Sequence, residues 1–247
     1  LGKLAAAQHR LETVIAASGA TEAGRRHPTI AQAHQNLCAV AWRQQDWARS
    51  ERHCRAAAEV YASSIGPDHP TTAKSRMYLG RALRKLGRLA EAQTEIEQAR
   101  AIQEKTLPPG SVERIQTDVY VAQIAAERGN FLEAEQLTRK ALAALRKYDV
   151  PVHLHAFTLS ELARFVAHRD PAAALDVYDE ALTIHTARPA RDPSGDVEVL
   201  TEIGQAALAA GQPRRALSWF TKLPEIAAQL PELRKALDAK ASQDSRK

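Results

Sequence analysis

The sequence predicts an all-α fold, a solenoid of about five helix pairs with a partial helix at its N-terminal end and a capping helix at its C-terminal end. Three observations predict it. The first is a period: His27-Pro28-Thr29-Ile30-Ala31 returns 42 residues later as His69-Pro70-Thr71-Thr72-Ala73. Behind each copy the landmarks keep step, with Leu37 falling on Leu79 and Val121, and Ala57 on Ala99 and Ala141. A copy shorter by two puts Ala174 and Ala181 in the Ala134 and Ala141 places, and a last shift of 42 lands on Ala216 and Leu223. Fixed-period self-similarity means stacked supersecondary units, each burying an apolar face against its neighbours. The second is composition: aromatic residues are only 5% of the chain, while alanine and unbranched side chains dominate. Such side chains lose little entropy in a helix. The third is spacing within a unit. Ala73, Met77, Leu79-Gly80, Leu83 and Leu86 share one helical face, Gly87-Arg88 interrupts it, and Leu89, Ala92, Ile96, Ala99 and Ile102 form the next.

Taken in order, residues 1–24 read as a partial repeat, since Ala7, Arg10-Leu11 and Val14 resemble the second helix of a pair whose first helix is missing. The one methionine is Met77, so the chain is expected to be a fragment or a processed product. Repeats follow at 27–68, 69–110, 111–151, 152–193 and 194–223, all within a single solenoid over 1–241. Their helices are predicted at 28–45 and 47–64, 70–86 and 89–105, 112–128 and 131–147, 153–168 and 171–186, and 196–210 and 213–222. Pro28 and Pro70 suit a first helical turn and Gly66 a helix end. Gly66-Pro67-Asp68, Pro108-Pro109-Gly110, Asp149-Val150-Pro151 and the stretch from Pro189 to Gly195 separate the units. Residues 224–241 form the cap, with Pro231 either kinking it or starting it afresh, and 242–247 are expected to be a disordered tail.

A net charge of +5 and a pI near 9.3 tilt partners toward acidic peptides, phosphates or carboxylates, and are modest for a nucleic-acid binder. Cys38 and Cys54 fall where other copies carry Gly80, Ala122, Ile96 and Thr138, which are small or core positions. They are expected as inert core thiols, with a disulfide the lesser alternative. There is no secretory apolar segment and no apolar run near about 18 residues. A soluble, cytoplasmic chain without membrane contact is the expectation.

Leu79-Gly80, Leu83, Gly87, Ala92, Ile96 and Ala99, repeated as Ile203-Gly204, Ala207, Gly211, Ala216, Phe220 and Leu223, resemble the packing residues of tetratricopeptide repeats. The usual repeat is about 34 residues, so a longer period leaves roughly one extra turn per helix. That longer form, with Gly-Pro-Asp-His-Pro at 66–70, resembles the repeats of kinesin light chain, and the resemblance covers about 27–223. It is a form also found in bacterial multidomain proteins, often behind a Ser/Thr protein kinase or an NTPase.

The resemblance implies a right-handed solenoid whose first helices line a concave groove. Carried onto this sequence, the groove positions are Gln32, Gln35, Trp42 and Arg43 in the first unit, and Lys74, Met77, Arg81, Arg84 and Lys85 in the second. Gln116, Gln123 and Glu127 follow in the third, Ser160, Arg164 and His168 in the fourth, and Glu198, Thr201 and Gln205 in the fifth. The candidate partner-binding residues are Gln32, Gln35, Trp42, Arg43, Lys74, Arg81, Arg84, Lys85, Gln123, Arg164 and His168. The second unit is mostly basic, and clustered like charges in a concave surface attract anions. The bland alternative is an ordinary solvated face on an arginine-rich protein. The clamp by which some tetratricopeptide domains hold chaperone C-termini is missing, because its positions carry Gln35 with Ala39, Met77 with Arg81, and Val119 with Gln123.

Nothing in the sequence supports catalysis. It has no phosphate-cradling glycine loop, no His-Glu-x-x-His and no nucleophile elbow. His153 and His155 would splay apart on a helix, so no metal is expected, nor any cofactor. The function expected is a protein-interaction scaffold that takes a peptide or partner protein in a concave, partly basic groove. The alternative is a regulatory or sensor segment of a bacterial Ser/Thr protein kinase or other signalling protein, acting through substrate recruitment or self-association. Helical-repeat RNA binding is the remote reading, because its repeats run to about 35 residues and use aromatic stacking that the basic patch lacks.

Overall fold

The turns show how this sequence makes helix pairs. Gln45, Gly87, Gly129 and Gly211 all take the left-handed conformation, with φ of 57°, 74°, 86° and 66°. Each is followed by an amide that closes onto a carbonyl five residues back: Asp46 to Ala41, Arg88 to Leu83, Asn130 to Ala125 and Gln212 to Ala207. This is the helix-stop geometry that a left-handed residue permits. The fourth unit has two residues fewer, and there Asp170 N–H closes onto Val166 C=O instead.

The helix starts repeat as well. His27 and His69 adopt near-identical extended conformations, and each accepts a hydrogen bond at Nδ1 from the amide two residues on, Thr29 or Thr71. Proline occupies the first helical position behind both. A histidine cap followed by proline satisfies one orphan donor and removes another.

The computed structural model of the chain describes residues 2–18, 21–148, 152–187 and 193–244. Among them all regular structure is helical: α1 (Gly2–Ser18), α2 (Glu22–Arg25), α3 (Pro28–Arg43), α4 (Trp47–Ser64), α5 (Pro70–Lys85), α6 (Leu89–Thr106), α7 (Val112–Glu127), α8 (Phe131–Lys147), α9 (Val152–Ala167), α10 (Pro171–Thr186), α11 (Pro193–Ala209), α12 (Pro213–Lys222), α13 (Pro224–Ala227) and α14 (Pro231–Asp244). Where the sequence predicts one continuous array, the contacts gather into two compact units, Leu1–Ile124 and Ala125–Lys247.

In the first unit α1 lies on α3, and α3, α4, α5 and α6 pack in succession. Ala31, Ala41, Ala57, Ala73, Met77, Leu83, Ile96 and Ala99 are fully buried between them. Gly80 permits the close approach of α5 and α6, since a Cβ there would stand 2.4 Å from Ile96 Cγ1. In the second unit α8 packs on α9, α9 on α10, α10 on α11 and α11 on α12, with α14 closing over α11 and α12. Leu237 is its buried anchor.

Of the two alternatives at Pro231, the structure has the helix starting afresh, since α13 ends at Ala227 and α14 begins at Pro231. Two sequence expectations are corrected. Residues 242–244, expected to be disordered, continue α14. Residues 245–247, the Asp149–Pro151 separator, most of the Pro189–Gly195 separator and the side chain of His153 lie outside the described residues. Cys38 and Cys54 are joined in a disulfide with a Cα–Cα separation of 5.3 Å, not held as separate thiols. The reason is the pairing of α3 with α4, which sets the two small core positions opposite one another.

Candidate functional site

In the first unit, residues four and seven apart share a helical face. That spacing aligns Gln35, Ala39 and Trp42 on α3, and Lys74, Tyr78 and Arg81 on α5. The Ser75 hydroxyl donates to Gln35 Oε1 at 3.0 Å and ties the two helices. Between them lies a cavity of about 350 Å³ lined by Gln35, Asn36, Cys38, Ala39, Trp42, Arg43, Lys74, Tyr78 and Arg81. No carboxylate is among these.

Trp42 is the floor of the charge arrangement. Its ring meets Trp47 edge-on with centroids 4.8 Å apart. The Arg81 guanidinium sits 3.5 Å from the centre of the Trp42 ring and 5.7 Å from that of Tyr120. Cation–π contact of this kind holds a guanidinium by its face and leaves the N–H edge for other partners. Lys74 Nζ lies 3.4 Å from Glu113 Oε1. Among the described residues, neither Arg43 nor Arg81 has a carboxylate within ion-pair distance.

The cavity thus brings together Gln35, Trp42, Arg43, Lys74 and Arg81 of the sequence candidates. Gln32 lies outside it, donating to Asn36 and accepting from the Tyr61 hydroxyl, both at 3.0 Å. Lys85 is exposed, 5.8 Å from the centre of the Trp47 ring, and neither it nor Arg84 lines the cavity. Met77, placed on the groove by the resemblance, is wholly buried. Gln123 and Ser160 are buried too, at 4% and 6% exposure. Gln123 lies in a run, Ala122 through Ala126, that is buried throughout, so α7 has no open face at that turn. Sequence reasoning missed Tyr78 and Tyr120 as members of the site, although Tyr78 shares the spacing of Lys74 and Arg81.

In the second unit Arg164 meets a different environment. Its Nε donates to Glu202 at 2.7 Å, and its terminal nitrogens reach Glu161 and Glu198, each at 3.1 Å. The Tyr178 hydroxyl donates to the second oxygen of Glu202 at 3.3 Å. Burial pushes the Glu202 carboxyl above the ordinary range despite Arg164, and pushes the Tyr178 phenol up as well, with Glu202 adding to it. Burial opposes the Arg164 charge, yet Glu161 and Glu202 hold its pKa above the usual arginine value. Arg164 lines a cavity with His168, Tyr178 and Glu202, and there it is the centre of an ion cluster with three carboxylates. His168 is exposed and stacks on Phe131 with centroids 3.6 Å apart.

Behind the first-unit cavity, His34 Nδ1 and His53 Nδ1 lie 3.0 Å apart across α3 and α4. Burial lowers both, His53 to about 4, so the pair is a neutral hydrogen bond at ordinary pH. Among the described residues no group of three or more His, Cys, Asp or Glu is placed to hold a metal ion. No described helix is long and apolar enough to cross a membrane.

The helix pairs and the sequence comparisons agree on the class. Residues 29–105, the stretch that holds α3 to α6, match the tetratricopeptide repeat family profile. The fold of the chain is that of a tetratricopeptide-repeat array of the kinesin-light-chain type. It is similar to BtubC (BKLC) from P. vanneervenii, with a TM-score of 0.69 and 18% identity over 92% of this chain and 91% of that one. It is similar also to the kinesin-light-chain-type protein of Podosopora anserina with nearly identical TPR-like repeats, at a TM-score of 0.60 and 20% identity over 90% and 99%. A Rap protein complexed with Competence and Sporulation Factor gives a TM-score of 0.73 at 13% identity, over 88% of this chain and 58% of that one. At these identities the likeness is one of fold. No curated protein matches the sequence.

Proposed function

We propose that the first unit captures an acidic peptide of a partner protein in the cavity between α3 and α5. One observation carries the reading: Arg43, Lys74 and Arg81 converge on one cavity beside Trp42, and no carboxylate lines it. Preformed walls lower the ordering cost of a bound peptide, and like charges raise the encounter rate with an anionic one. Arg81 adds a fork that can grip a carboxylate with two parallel hydrogen bonds. A peptide complex exists on this fold, since a Rap conjugation gene regulator holds the Phr* peptide.

The test is a titration with two degenerate nonamer libraries, one rich in Asp and Glu and the other in Asn and Gln. The acidic library should bind more tightly, weaken with salt, and lose its advantage in Arg43→Glu/Arg81→Glu. Equal binding of both libraries, or an unchanged preference in the variant, overturns the proposal.

A further inference from the structure

Resting on that reading, we infer that the same cavity is built for the phosphoryl group of a phosphorylated side chain, more than for a Glu or Asp carboxylate. Charge is the first argument. Arg43, Lys74 and Arg81 line the cavity, and Glu113 stands 3.4 Å from Lys74. Three cations less one carboxylate leave two positive charges. A phosphomonoester carries about −1.5 to −2 at neutral pH, where a carboxylate carries one.

Donor geometry is the second argument. Gln35 Oε1 accepts from Ser75 and Asn36 Oδ1 accepts from Gln32, each at 3.0 Å. Each amide oxygen thus accepts one bond from a neighbouring side chain, and the amide NH₂ groups remain able to donate. With Tyr78, whose hydroxyl can also donate, they add neutral donor groups to the three cations of the lining. Such a lining suits a ligand with three acceptor oxygens spread in space over one with two oxygens in a plane.

Pre-organisation is the third. Arg81 is held face-on against Trp42 at 3.5 Å, so its plane is set before a ligand arrives. A fork already in place loses less side-chain freedom on binding than a mobile lysine would.

The experiment uses the whole chain and three nonamer libraries with degenerate flanks and a fixed central phosphoserine, glutamate or serine. The phosphoserine library should bind about tenfold more tightly than the glutamate one, as expected of a doubly charged, multiply hydrogen-bonded group. Arg81→Lys, which keeps the charge and loses the fork, should shrink that ratio to about twofold. Equal binding of phosphoserine and glutamate overturns this inference and leaves the acidic-peptide reading standing. Equal binding of all three overturns both. A phosphoserine preference that survives in Arg43→Gln/Arg81→Gln puts the group elsewhere and overturns the inference. Complete displacement of the phosphopeptide by equimolar inorganic phosphate does so too, because it leaves an ion site without peptide recognition. Arg43 is exposed and makes no ion pair among the described residues, so Arg43→Gln reads the site without threatening the fold.

Discussion

Arg81 and Arg164 look alike in the sequence: each sits on the first helix of a pair, three to four residues from an aromatic or acidic neighbour on the same face. Their surroundings are opposite. Arg81 leans on Trp42 with its donors unengaged by any carboxylate among the described residues. Arg164 is saturated by Glu161, Glu198 and Glu202. The lesson is that a groove arginine becomes a binding group or a structural one according to what the next helix pair sets against it. Glu198 and Glu202 come from α11, one pair further along. The α7 residues near Arg81 offer it the Tyr120 ring, while Glu113 goes to Lys74.

The largest expected effect follows from removing the saturated arginine. Arg164→Met strands Glu161, whose side chain is only 4% exposed, and Glu202 at 18%. Breaking one partner out of a buried ion cluster costs about 3 kcal/mol, because the remaining charges are desolvated and unpaired. Arg81→Met should cost no more than about 1 kcal/mol, the worth of a cation–π contact. Urea unfolding of both variants settles the contrast, and equal losses would break it.

Binding should show the reverse order. Arg81→Met is expected to weaken acidic-library binding by about tenfold or more, equivalent to about 1.4 kcal/mol. A conservative change in the second-unit cluster, Glu198→Gln, should leave binding to the first unit unaltered. A loss with Glu198→Gln would mean that the two arginines share a role.

A smaller effect concerns pH. Burial raises the Glu202 carboxyl in the folded chain above its unfolded value near 4.3. Between those two values the unfolded chain gives up the proton first, so stability falls as pH rises, and above the folded value the loss is complete. The stability of Glu202→Gln relative to the wild type should therefore grow between about pH 4 and neutrality. Glu135 works in the opposite direction. Its burial is outweighed by hydrogen bonds from Arg139 and Arg169, which lower its carboxyl, but this cancels in the difference. A gap that shrinks with rising pH would show that Arg164, and not burial, rules the Glu202 proton.

What could be read beforehand divides along the same line. Helix ends were legible because proline, glycine and the 42-residue period mark them locally, and Pro28, Pro70, Pro171 and Pro213 do open their helices. The basic character of the second repeat was legible for the same reason. The fate of Arg164 was not: Glu161 is local, three residues before it, but Glu198 and Glu202 lie 34 and 38 residues away, and no local pattern says which of many glutamates will meet it. Nor could spacing alone tell that Gln123 and Ser160 would be covered, because burial depends on the neighbouring pair. The histidine caps were visible only as a repeated His-Pro, whose hydrogen bond needs the backbone geometry to be recognised.

The smallest effect lies at the turn beside the cavity. Gln45 holds a left-handed φ of 57° where three other repeats use glycine. A non-glycine residue there is strained by about 1 kcal/mol. Gln45→Gly removes that strain, yet glycine also loosens the unfolded chain by about 0.4–1 kcal/mol. The two terms nearly cancel, so the change in stability should stay within about 0.5 kcal/mol, and the reverse change Gly87→Ala, which adds the strain and stiffens the unfolded chain, should be as small. Arg43 stands two residues before Gln45, and for this reason ligand affinity is the sharper readout. Trp42 is braced by Trp47 and Gln35 by Ser75, so the cavity should keep its shape and affinity should not change in Gln45→Gly. A clear drop in affinity at unchanged stability would show that the strained turn aims Arg43. The contrast with Arg164 would then extend from charge partners to backbone: the binding arginines of the first unit would be positioned by turn and ring, and the structural arginine of the second by carboxylates.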